Sequence, residues 1–432
     1  MKKVGVALLG LGTVGGGTYR ILVNNHDAIK QNDGVDLEIR HILEKDISKA
    51  EKLGADLSIV GTDIDAVVND KDTKIVAEFF GGIEPAKTFL IKCLLAGKSI
   101  VTANKELFSK HWPELEEAAK KGKAGLYFEA SCVGGVPIIR TLTQSMQGNN
   151  INSLYGIVNG TTNYILSKMS DEGLEYADVL KEAQKLGYAE ANPSADVDGF
   201  DSMYKLSILS SLAFRKKVPI TKIYREGITN ISKEDIAVGK SFGYTLKLLA
   251  ISKNIDGKIE ARVHPTFIPN AHPLASVKGS FNGVFINGDN VGDIMLYGKG
   301  AGDLPTGSAI VSDIVFAANQ SKPQYTSFKN SNEVSDKHFA KDFICKYFIR
   351  MTVSDKVGVI AKISSILAKY KVSIDAMQQN NKDDKAQLIM LVHKTYEKDL
   401  QQAIAQIKTL EVVDSIDSII RVEDWLINLK IY

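Results

Sequence analysis

The sequence has little cysteine, no long apolar run and almost no net charge. Its three cysteines, Cys93, Cys132 and Cys345, lie far apart in 432 residues. This argues against a disulfide framework or a cysteine-based zinc site and indicates a reducing, cytoplasmic location. No apolar run approaches the roughly 20 residues that span a bilayer, so we expect no membrane partner. The apolar stretch after Met1 lacks a small-residue cleavage site, and we interpret it as a strand rather than a signal peptide.

The balance of charges gives no reason to expect a nucleic-acid partner. The chain has 53 Lys+Arg and 51 Asp+Glu, for a net charge of +2, whereas polyanion-binding proteins carry a positive excess. Hydrophobic residues make up 44% of the chain, which excludes wholesale disorder. At roughly 150 residues per domain, the length predicts two to three folded domains.

The first 130 residues alternate between strand and helix patterns. Apolar runs at 4–9, 37–43, 75–80 and 99–102 are typical of buried strands, and 85–96 has a helical pattern. This alternation predicts an α/β fold with a parallel, doubly wound sheet of Rossmann type. We therefore predict a dinucleotide-binding domain over residues 1–130, completed by a helix over 307–319.

A glycine-rich turn, Gly10-Leu11-Gly12-Thr13-Val14-Gly15, joins the first predicted strand to the first predicted helix. Gly10 can make the tight turn, Gly12 lets the backbone approach a pyrophosphate, and Gly15 permits close packing of helix and strand. The helix N terminus adds N–H groups and a positive dipole end. The pattern predicts NAD or NADP as cofactor, and a tight turn without a ligand is the alternative.

The end of the second strand leaves the choice between NAD and NADP open. Glu44 could bind the ribose hydroxyls of NAD, as acidic residues at this position do. Arg40 or Lys45 could instead pair with the 2′-phosphate of NADP, unless they are an ordinary solvated strand end. We favour NADP.

The pattern changes after about residue 130. Helical patterns at 164–168, 176–186 and 202–215 precede strand patterns at 261–268, 283–287 and 293–298. Such segregation predicts an α+β domain over residues 131–306. The composition of the polar segment 320–343, which includes Asn330, Ser331 and Asn332, predicts a linker. A polar turn is predicted at 382–385, within the next domain. Residues 345–425 then show a βαββαβ order, which predicts a ferredoxin-like domain.

Three segments carry candidate chemistry. Asp201 and Lys205 are four residues apart, so on a helix they share a face. The apolar residues that follow would turn this pair into a cleft, where a desolvated lysine has a lowered pKa and can act as a general acid or base. An ordinary surface ion pair is the equal alternative. Lys105 follows Thr102 at a strand end, where it could reach the nicotinamide, or it is a surface lysine.

Glu129 precedes a glycine-rich bend. Backbone carbonyls and one carboxylate suit a hard monovalent cation, and a simple tight turn is the alternative. Cys132 has no histidine nearby in the sequence, so we do not expect an activated thiolate there.

Taken together, these stretches resemble homoserine dehydrogenase. The resemblance covers essentially the whole chain and implies the monofunctional form, without a fused aspartate kinase. Its most specific part is the run 183–190 with Asn192, Pro193, Asp196, Asp198, Gly199, Asp201 and Lys205, supported by 102–105, 156–164, 272–275 and 300–306.

The resemblance implies NAD(P)-dependent interconversion of L-aspartate 4-semialdehyde and L-homoserine, in the biosynthesis of threonine, methionine and isoleucine. Lys205 matches the proton donor to the developing alkoxide, and Lys105 matches an assisting residue beside cofactor and substrate. The residues implied to bind substrate are Glu190 and Asp201 for its ammonium group, Asp196 as a hydrogen-bonding group, and Gly187, Gly160 and Thr161 as lining. The implied cofactor contacts are residues 10–15, Arg40 or Lys45, Thr102, Lys105 and Gly302.

The resemblance also implies a sodium ion and a regulatory domain. Glu129, with the carbonyls of Cys132, Gly134 and Val136, matches a structural sodium site. Residues 353–361 resemble the first strand, loop and helix of an ACT domain, with Val357 where many such loops have proline. An ACT domain here implies threonine as effector, or a module that only dimerises. A catalytic and dimerisation domain at 131–306, in a homodimer or homotetramer, completes the expectation.

Two other functions compete with this one. An acylating aldehyde dehydrogenase would need a cysteine nucleophile with a histidine partner, which none of the three cysteines shows in the sequence. A catalytically idle amino-acid sensor would not need Lys105, Asp201 and Lys205.

Overall fold

The computed structural model describes residues 2–324, 335–382 and 384–424. The predicted linker residues Asn330, Ser331 and Asn332, the turn residue Asp383 and the predicted domain end at residue 425 lie outside these ranges. None of the described helices is both long and apolar enough to cross a membrane.

The first part of the chain forms a six-stranded parallel sheet in the order β3-β2-β1-β4-β5-β6. Its elements are β1 (Lys2–Leu9), α1 (Thr13–Asn24), α2 (His26–Asp33), β2 (Val35–Leu43), α3 (Ile47–Lys52), β3 (Val60–Gly61), α4 (Ile64–Asn69), β4 (Thr73–Glu78), α5 (Ala86–Leu95), β5 (Ser99–Thr102), α6 (Lys105–Gly122) and β6 (Leu126–Tyr127). One face is covered by α5 and α6 through fully buried Leu90, Phe108 and Trp112. Because the strand order reverses between β1 and β4, the crevice at their carboxyl ends is where such sheets bind ligands.

A mixed sheet follows in the middle of the chain. Its elements are α7 (Ile138–Arg140), β7 (Ile151–Ile157), α8 (Gly160–Glu172), α9 (Tyr176–Lys185), α10 (Ser194–Val197), α11 (Phe200–Phe214), β8 (Tyr224–Arg225), α12 (Lys233–Ser241), β9 (Tyr244–Ile255), β10 (Lys258–Pro269), β11 (Phe281–Gly288), β12 (Gly292–Lys299) and α13 (Asp303–Asn319). Helices α8, α11 and α12 pack on β9. Helix α13 returns to the first sheet and packs on α1, where a Cβ on Gly17 would lie 2.3 Å from the carbonyl oxygen of Asp303.

The last part of the chain has the predicted βαββαβ order. Its elements are β13 (Ile344–Ser354), α14 (Val359–Lys369), β14 (Ile374–Lys382), β15 (Lys385–Tyr396), α15 (Glu397–Ile407) and β16 (Val413–Val422). The strand order β16-β13-β15-β14 is that of a ferredoxin-like sheet. The fold class predicted for all three parts is therefore confirmed.

The last two sheets are continuous, which the sequence did not predict. Strand β16 pairs in parallel with β10 at Thr266–Arg421 and Phe267–Val422. The Arg421 guanidinium bonds to Glu397 at 2.6 Å and Glu226 at 2.7 Å. Since this side chain is only 2% exposed, the junction contains a buried guanidinium that is paired with two carboxylates. The domain boundaries remain predictions.

Candidate active site

Residues 10–15 form the turn between β1 and α1. Gly10 has φ of +104°, a conformation that favours glycine, and its N–H donates to the carbonyl of Leu43 at 2.8 Å. A Cβ on Gly15 would lie 2.2 Å from the Gly10 carbonyl oxygen. No described neighbouring atom lies within 4 Å of a Cβ built on Gly12, so the backbone of this turn, completed by Leu11, Thr13 and Val14, is open to a pyrophosphate.

Glu44 at the end of β2 is bound to the glycine turn. Its Oε2 accepts from the N–H of Leu11 at 2.8 Å and its Oε1 from Lys49 Nζ at 3.2 Å. Burial raises the pKa of this carboxyl, but these hydrogen bonds outweigh burial and lower it. Lys45 follows with an exposed side chain. Of the two predicted partners for a 2′-phosphate, Lys45 stands beside the turn.

The structure corrects the expectation that Arg40 meets the cofactor. Its Nε donates to Asp70 Oδ2 at 2.8 Å, and this ion pair holds the pKa of Asp70 well below its usual range. Asp70 precedes the first residue of β4. Arg40 therefore points to the edge of the sheet at which the strands begin. The turn at Gly10 lies at the opposite edge, where the strands end.

A carboxylate joins the two predicted catalytic lysines. Asp201 Oδ2 lies 2.7 Å from Lys205 Nζ, and Asp201 Oδ1 lies 3.0 Å from Lys105 Nζ. Lys205 also donates to the carbonyl of Val158 at 2.7 Å. The Asp201 side chain is 7% and that of Lys205 10% exposed, whereas that of Lys105 is 41% exposed. The structure thus brings together residues from α6 and α11, with Lys105 on the open side.

The charges in this cluster shift each other's pKa values. Burial raises the pKa of the Asp201 carboxyl, but the Lys205 and Lys105 ammonium groups outweigh burial and lower it well below its usual range. The Asp201 charge in turn raises the pKa of Lys105. At Lys105 the attraction of this nearby carboxylate outweighs the effect of burial, which lowers a lysine pKa.

Asn159 connects this cluster to the start of α8. Its Nδ2 donates to Asp201 Oδ2 at 2.9 Å and to Asp196 Oδ1 at 2.7 Å. Burial raises the pKa of the half-buried Asp196 carboxyl, and the charge of Asp201 adds to this. The Asn159 side chain also caps α8 by accepting from the N–H of Thr162 at 2.8 Å. Asn159 was not among the predicted site residues, although an asparagine just before a helix is a known capping signal.

The predicted lining residues lie on two neighbouring segments. Gly160 begins α8, where a Cβ would meet the carbonyl oxygen of Ser280 at 2.7 Å. Thr161 Oγ1 donates to the carbonyl of Tyr188 at 2.6 Å, which fixes the exposed segment that carries Gly187 and Glu190. No described hydrogen bond or ion pair joins the Glu190 carboxylate to the lysines.

The remaining cofactor candidates are Thr102 and Gly302. Thr102 is buried and its Oγ1 donates to Glu78 Oε2 at 2.6 Å, so its side chain supports the strand end. Gly302 is exposed at the start of α13 with φ of +124°. The packing of Asp303 on α1 keeps this glycine beside the nucleotide-binding half of the molecule.

Glu129, the predicted side-chain ligand of a cation, is held by backbone N–H groups. Its Oε1 and Oε2 accept from the N–H groups of Ile139 and Arg140 at 2.7 and 2.8 Å. The carbonyl of Val136 accepts from the N–H of Ile138 at 2.8 Å. Burial raises the pKa of Glu129 to about 7, and the charge of Asp313 adds to this. The carboxylate therefore caps a short helix, and the sodium site stays a prediction.

The other two proposed ligands of the bend, Cys132 and Gly134, are buried. Burial raises the pKa of the Cys132 thiol to about 12, which agrees with the expectation that it is not a nucleophile. Among the described residues, no three or more His, Cys, Asp or Glu side chains lie close enough together to hold a metal ion.

Comparison with known proteins decides the family. The family model for the homoserine dehydrogenase NAD-binding domain matches residues 10–129, that for homoserine dehydrogenase matches 137–315, and that for the ACT domain matches 347–412. Homoserine dehydrogenase of Corynebacterium glutamicum is 42% identical, over 98% of this chain and 96% of the relative. The chain belongs to the homoserine dehydrogenase family.

Solved structures of homoserine dehydrogenases have the same fold. The crystal structure from Thiobacillus denitrificans is 39% identical with a TM-score of 0.90, over 98% of this chain and 99% of that one. A hyperthermophilic archaeal homoserine dehydrogenase in complex with NADPH is 28% identical with a TM-score of 0.62, over 73% of this chain and 97% of that one. The predicted oxidoreductase activity of this family and the nicotinamide-binding and ACT domains are confirmed.

The ACT domain contains a cavity at its first strand–helix loop. It has a volume of about 210 Å³ and is lined by Ser354, Asp355, Lys356, Gly358, Val359, Gln379 and Leu388, among others. Asp355 Oδ2 accepts from Asn381 Nδ2 at 2.8 Å, so the loop is tied to β14. Val357 is fully exposed and does not line this cavity.

Proposed function

We propose that this homoserine dehydrogenase uses Lys205 as proton donor, with Lys105 as a second cation. The single observation that supports this is the Asp201 carboxylate between the two ammonium groups. Such an arrangement holds the two lysines close together, since one negative charge lowers their mutual repulsion. The cluster is exposed to solvent on the side of Lys105, so a substrate can reach it from that side.

A bound nicotinamide would supply the hydride for reduction of the aldehyde carbon. As that bond forms, the carbonyl π electrons move to the oxygen, which becomes an alkoxide. The Lys205 ammonium donates a proton to this oxygen, and in the oxidation of homoserine Lys205 takes the same proton back. Lys105 contributes positive charge where the negative charge develops. Asp201 stays ionised throughout, because both lysines lower its pKa.

We infer that the substrate's ammonium group binds at Glu190 rather than at Asp201. Both oxygens of Asp201 already bond to Lys205, Lys105 and Asn159. Glu190 is exposed on the segment held by Thr161, so its carboxylate is available to a cation. The half-buried Asp196 stands beside Asn159 as a second acceptor.

We propose NADP as the preferred cofactor. Glu44 is engaged by the glycine turn and by Lys49, so it is poorly placed to bind ribose hydroxyls. Lys45 is exposed beside it and can pair with a 2′-phosphate. Lys45→Ala should weaken NADP⁺ binding and leave NAD⁺ binding unchanged in calorimetric titrations. Equal loss for both cofactors would refute this role.

We propose that the ACT cavity binds threonine as an effector. The cavity joins a carboxylate, Asp355, to apolar Val359 and Leu388, a combination that suits an amino acid with a small side chain. A module that only dimerises remains the alternative, and the homodimer or homotetramer remains a prediction. We assign no step to a sodium ion.

One spectrophotometric experiment tests the activity, the cofactor and the effector. Absorbance at 340 nm is followed with L-homoserine and either NAD⁺ or NADP⁺, with and without threonine. We expect reduction of NADP⁺ to exceed that of NAD⁺ and to fall with threonine. Folded protein that reduces neither cofactor would refute the proposal. An unchanged rate with threonine would leave the ACT domain as an assembly module.

A further inference from the structure

Glu78 is a buried carboxylic acid that the proposed mechanism does not use. It is the last residue of β4 and is 0% exposed. Its Oε2 accepts from Thr102 Oγ1 at 2.6 Å, but its Oε1 is buried without a hydrogen-bond partner among the described residues. Because buried polar atoms are nearly always hydrogen-bonded, this atom requires an explanation.

Hydrogen bonds lead from Glu78 to a proposed catalytic lysine. The Oγ1 of Thr102 accepts from the N–H of Asn104 at 3.0 Å. The Asn104 side chain accepts from the N–H of Leu107 at 3.0 Å and so caps α6, whose first residue is Lys105. These hydrogen bonds connect the ends of β4 and β5 to the start of α6, the helix that carries Lys105.

Glu78 also lies beside the glycine turn. The next residue, Phe79, donates its N–H to the carbonyl of Leu9 at 3.1 Å. Asn104 Nδ2 donates to the carbonyl of Gly82 at 2.7 Å, which ties the segment after Glu78 to the segment before Lys105. The carboxyl group therefore stands where β1, β4 and β5 end together.

The charged groups on the elements packed against Glu78 have other partners. Neighbouring β1 and β5 present Leu9 and Thr102 in register with it. The charged or titratable pairs on the nearby helices and loop are Lys87–Glu114, Lys92–Asp65, Lys105–Asp201, Lys110–Glu106, His111–Glu114, Lys120–Glu116, Lys121–Glu117 and Glu84–Thr88, with Arg20–Asp303 and Arg140–Asp313 for α13, which packs on β4 and β5. No described ion pair includes Glu78, so its protonation is governed by burial and by neutral hydrogen-bond donors.

Burial raises the pKa of Glu78 to about 7, and Thr102, the Phe80 N–H and Asn104 act in the opposite direction. The carboxyl group thus changes between neutral and ionised forms near neutral pH. A hydrogen bond to a charged acceptor is about twice as strong as one to a neutral acceptor. The ionised form therefore holds the Thr102 hydroxyl more firmly.

We propose that Glu78 is a positioning residue which, by gaining or losing a proton, loosens or tightens the Thr102–Asn104 turn that carries Lys105. This inference rests on the proposed function, in which Lys105 assists proton transfer. It makes the enzyme's activity depend on a group that touches neither substrate nor cofactor.

Steady-state kinetics between pH 6 and pH 8.5 test the proposal. In the wild type, kcat/KM for homoserine should rise about fivefold through pH 7, as the Thr102 hydrogen bond becomes charge-assisted. Glu78→Gln keeps an acceptor for Thr102 but cannot ionise, so this step should vanish while activity below pH 7 stays within about twofold of the wild type. Glu117→Gln, an exposed glutamate on the same helix as Lys105, is the matched control and should keep the step.

Hydrogen exchange provides a readout that does not need activity. After correction for intrinsic rates, amides 103–108 of the wild type should exchange about fivefold more slowly above pH 7 than below it, and those of Glu78→Gln should not respond. If Glu78→Gln does not fold, Thr102→Val removes the same hydrogen bond and should also abolish the step. A step that persists in either variant overturns the proposal. If the wild type is inactive but its amide exchange depends on pH in the expected way, the proposed function is refuted while the positioning role of Glu78 is supported.

Discussion

Replacement of Asp201 by asparagine is the sharpest test of the lysine pair. The carboxylate bonds to Lys205 at 2.7 Å and to Lys105 at 3.0 Å, and its side chain is only 7% exposed. Asparagine has nearly the same shape, so the substitution removes charge and little volume. Two ammonium groups then face each other without an anion between them.

The expected cost follows from this geometry. Two positive charges at about 5 Å repel by about 3 kcal/mol at an effective dielectric constant of about 20. Removal of one partner from a buried ion pair costs about 3–5 kcal/mol. The pKa of Lys105, which Asp201 raises in the wild type, should fall. We therefore expect kcat to decrease by a factor on the order of 10²–10⁴, because the anion that holds both lysines in place for proton transfer is lost.

The contribution of Asp201 to the stability of the fold should depend on pH. The folded-state pKa of Asp201 is lowered, so its stabilising contribution is present above the unfolded pKa of about 4 and is lost as pH falls below it. The variant should lack this acid-side loss and be less stable at neutral pH.

The assays are homoserine oxidation at 340 nm and urea denaturation at pH 4 and pH 7. The control is Asp171→Asn, which breaks an exposed pair with Lys278 and should cost less than about 1 kcal/mol. An Asp201→Asn variant with kcat within threefold of the wild type, or with unchanged stability at pH 7, would refute the reasoning.

Three further predictions concern other buried charges. Lys205→Ala should lower kcat by a factor on the order of 10²–10⁴ with an unchanged NADP⁺ dissociation constant by calorimetry; loss of cofactor binding alone would contradict its role. Arg421→Met leaves Glu397 and Glu226 without their cation and should cost about 3–5 kcal/mol in urea denaturation, whereas a loss below about 1 kcal/mol would show that solvent replaces the pair. Burial lowers the pKa of Lys217 to about 8, so its charge destabilises the fold below pH 8 and this penalty disappears as pH approaches the unfolded value of about 10. Lys217→Met should therefore gain up to about 3 kcal/mol at pH 7 and little at pH 10.5, and equal changes at both values would contradict the titration.

Local sequence patterns were sufficient for most elements of the fold. The helix predicted at 176–186 is observed at Tyr176–Lys185, and the strand predicted at 99–102 is observed at Ser99–Thr102. Strand β9, Tyr244–Ile255, was not predicted. Its consecutive apolar residues 248–251 do not alternate because both faces of this central strand are buried, so a strand cannot be distinguished from a buried helix there.

The candidate site was predicted only in part. Asp201 and Lys205 are found as an ion pair, because a spacing of four residues on a helix fixes their proximity. The predicted cofactor contact of Arg40 was wrong, since strand alternation does not reveal toward which edge of the sheet a long side chain extends. Asp70, which binds it, comes from a distant loop. The cation site at Glu129 stays a prediction, and only the structure showed that the N–H groups of Ile139 and Arg140 in α7 donate to its two carboxylate oxygens.

What the sequence determined by itself is the chemistry that depends on neighbours along the chain. The glycines at 10, 12 and 15 and the Asp201–Lys205 pair act through backbone geometry that a few consecutive residues set. Only the tertiary structure brought Lys105 to Asp201, buried Glu78 under Thr102 and joined β16 to β10. These contacts depend on which strands and helices pack together, and burial, which sets the pKa of each group, exists only after that packing.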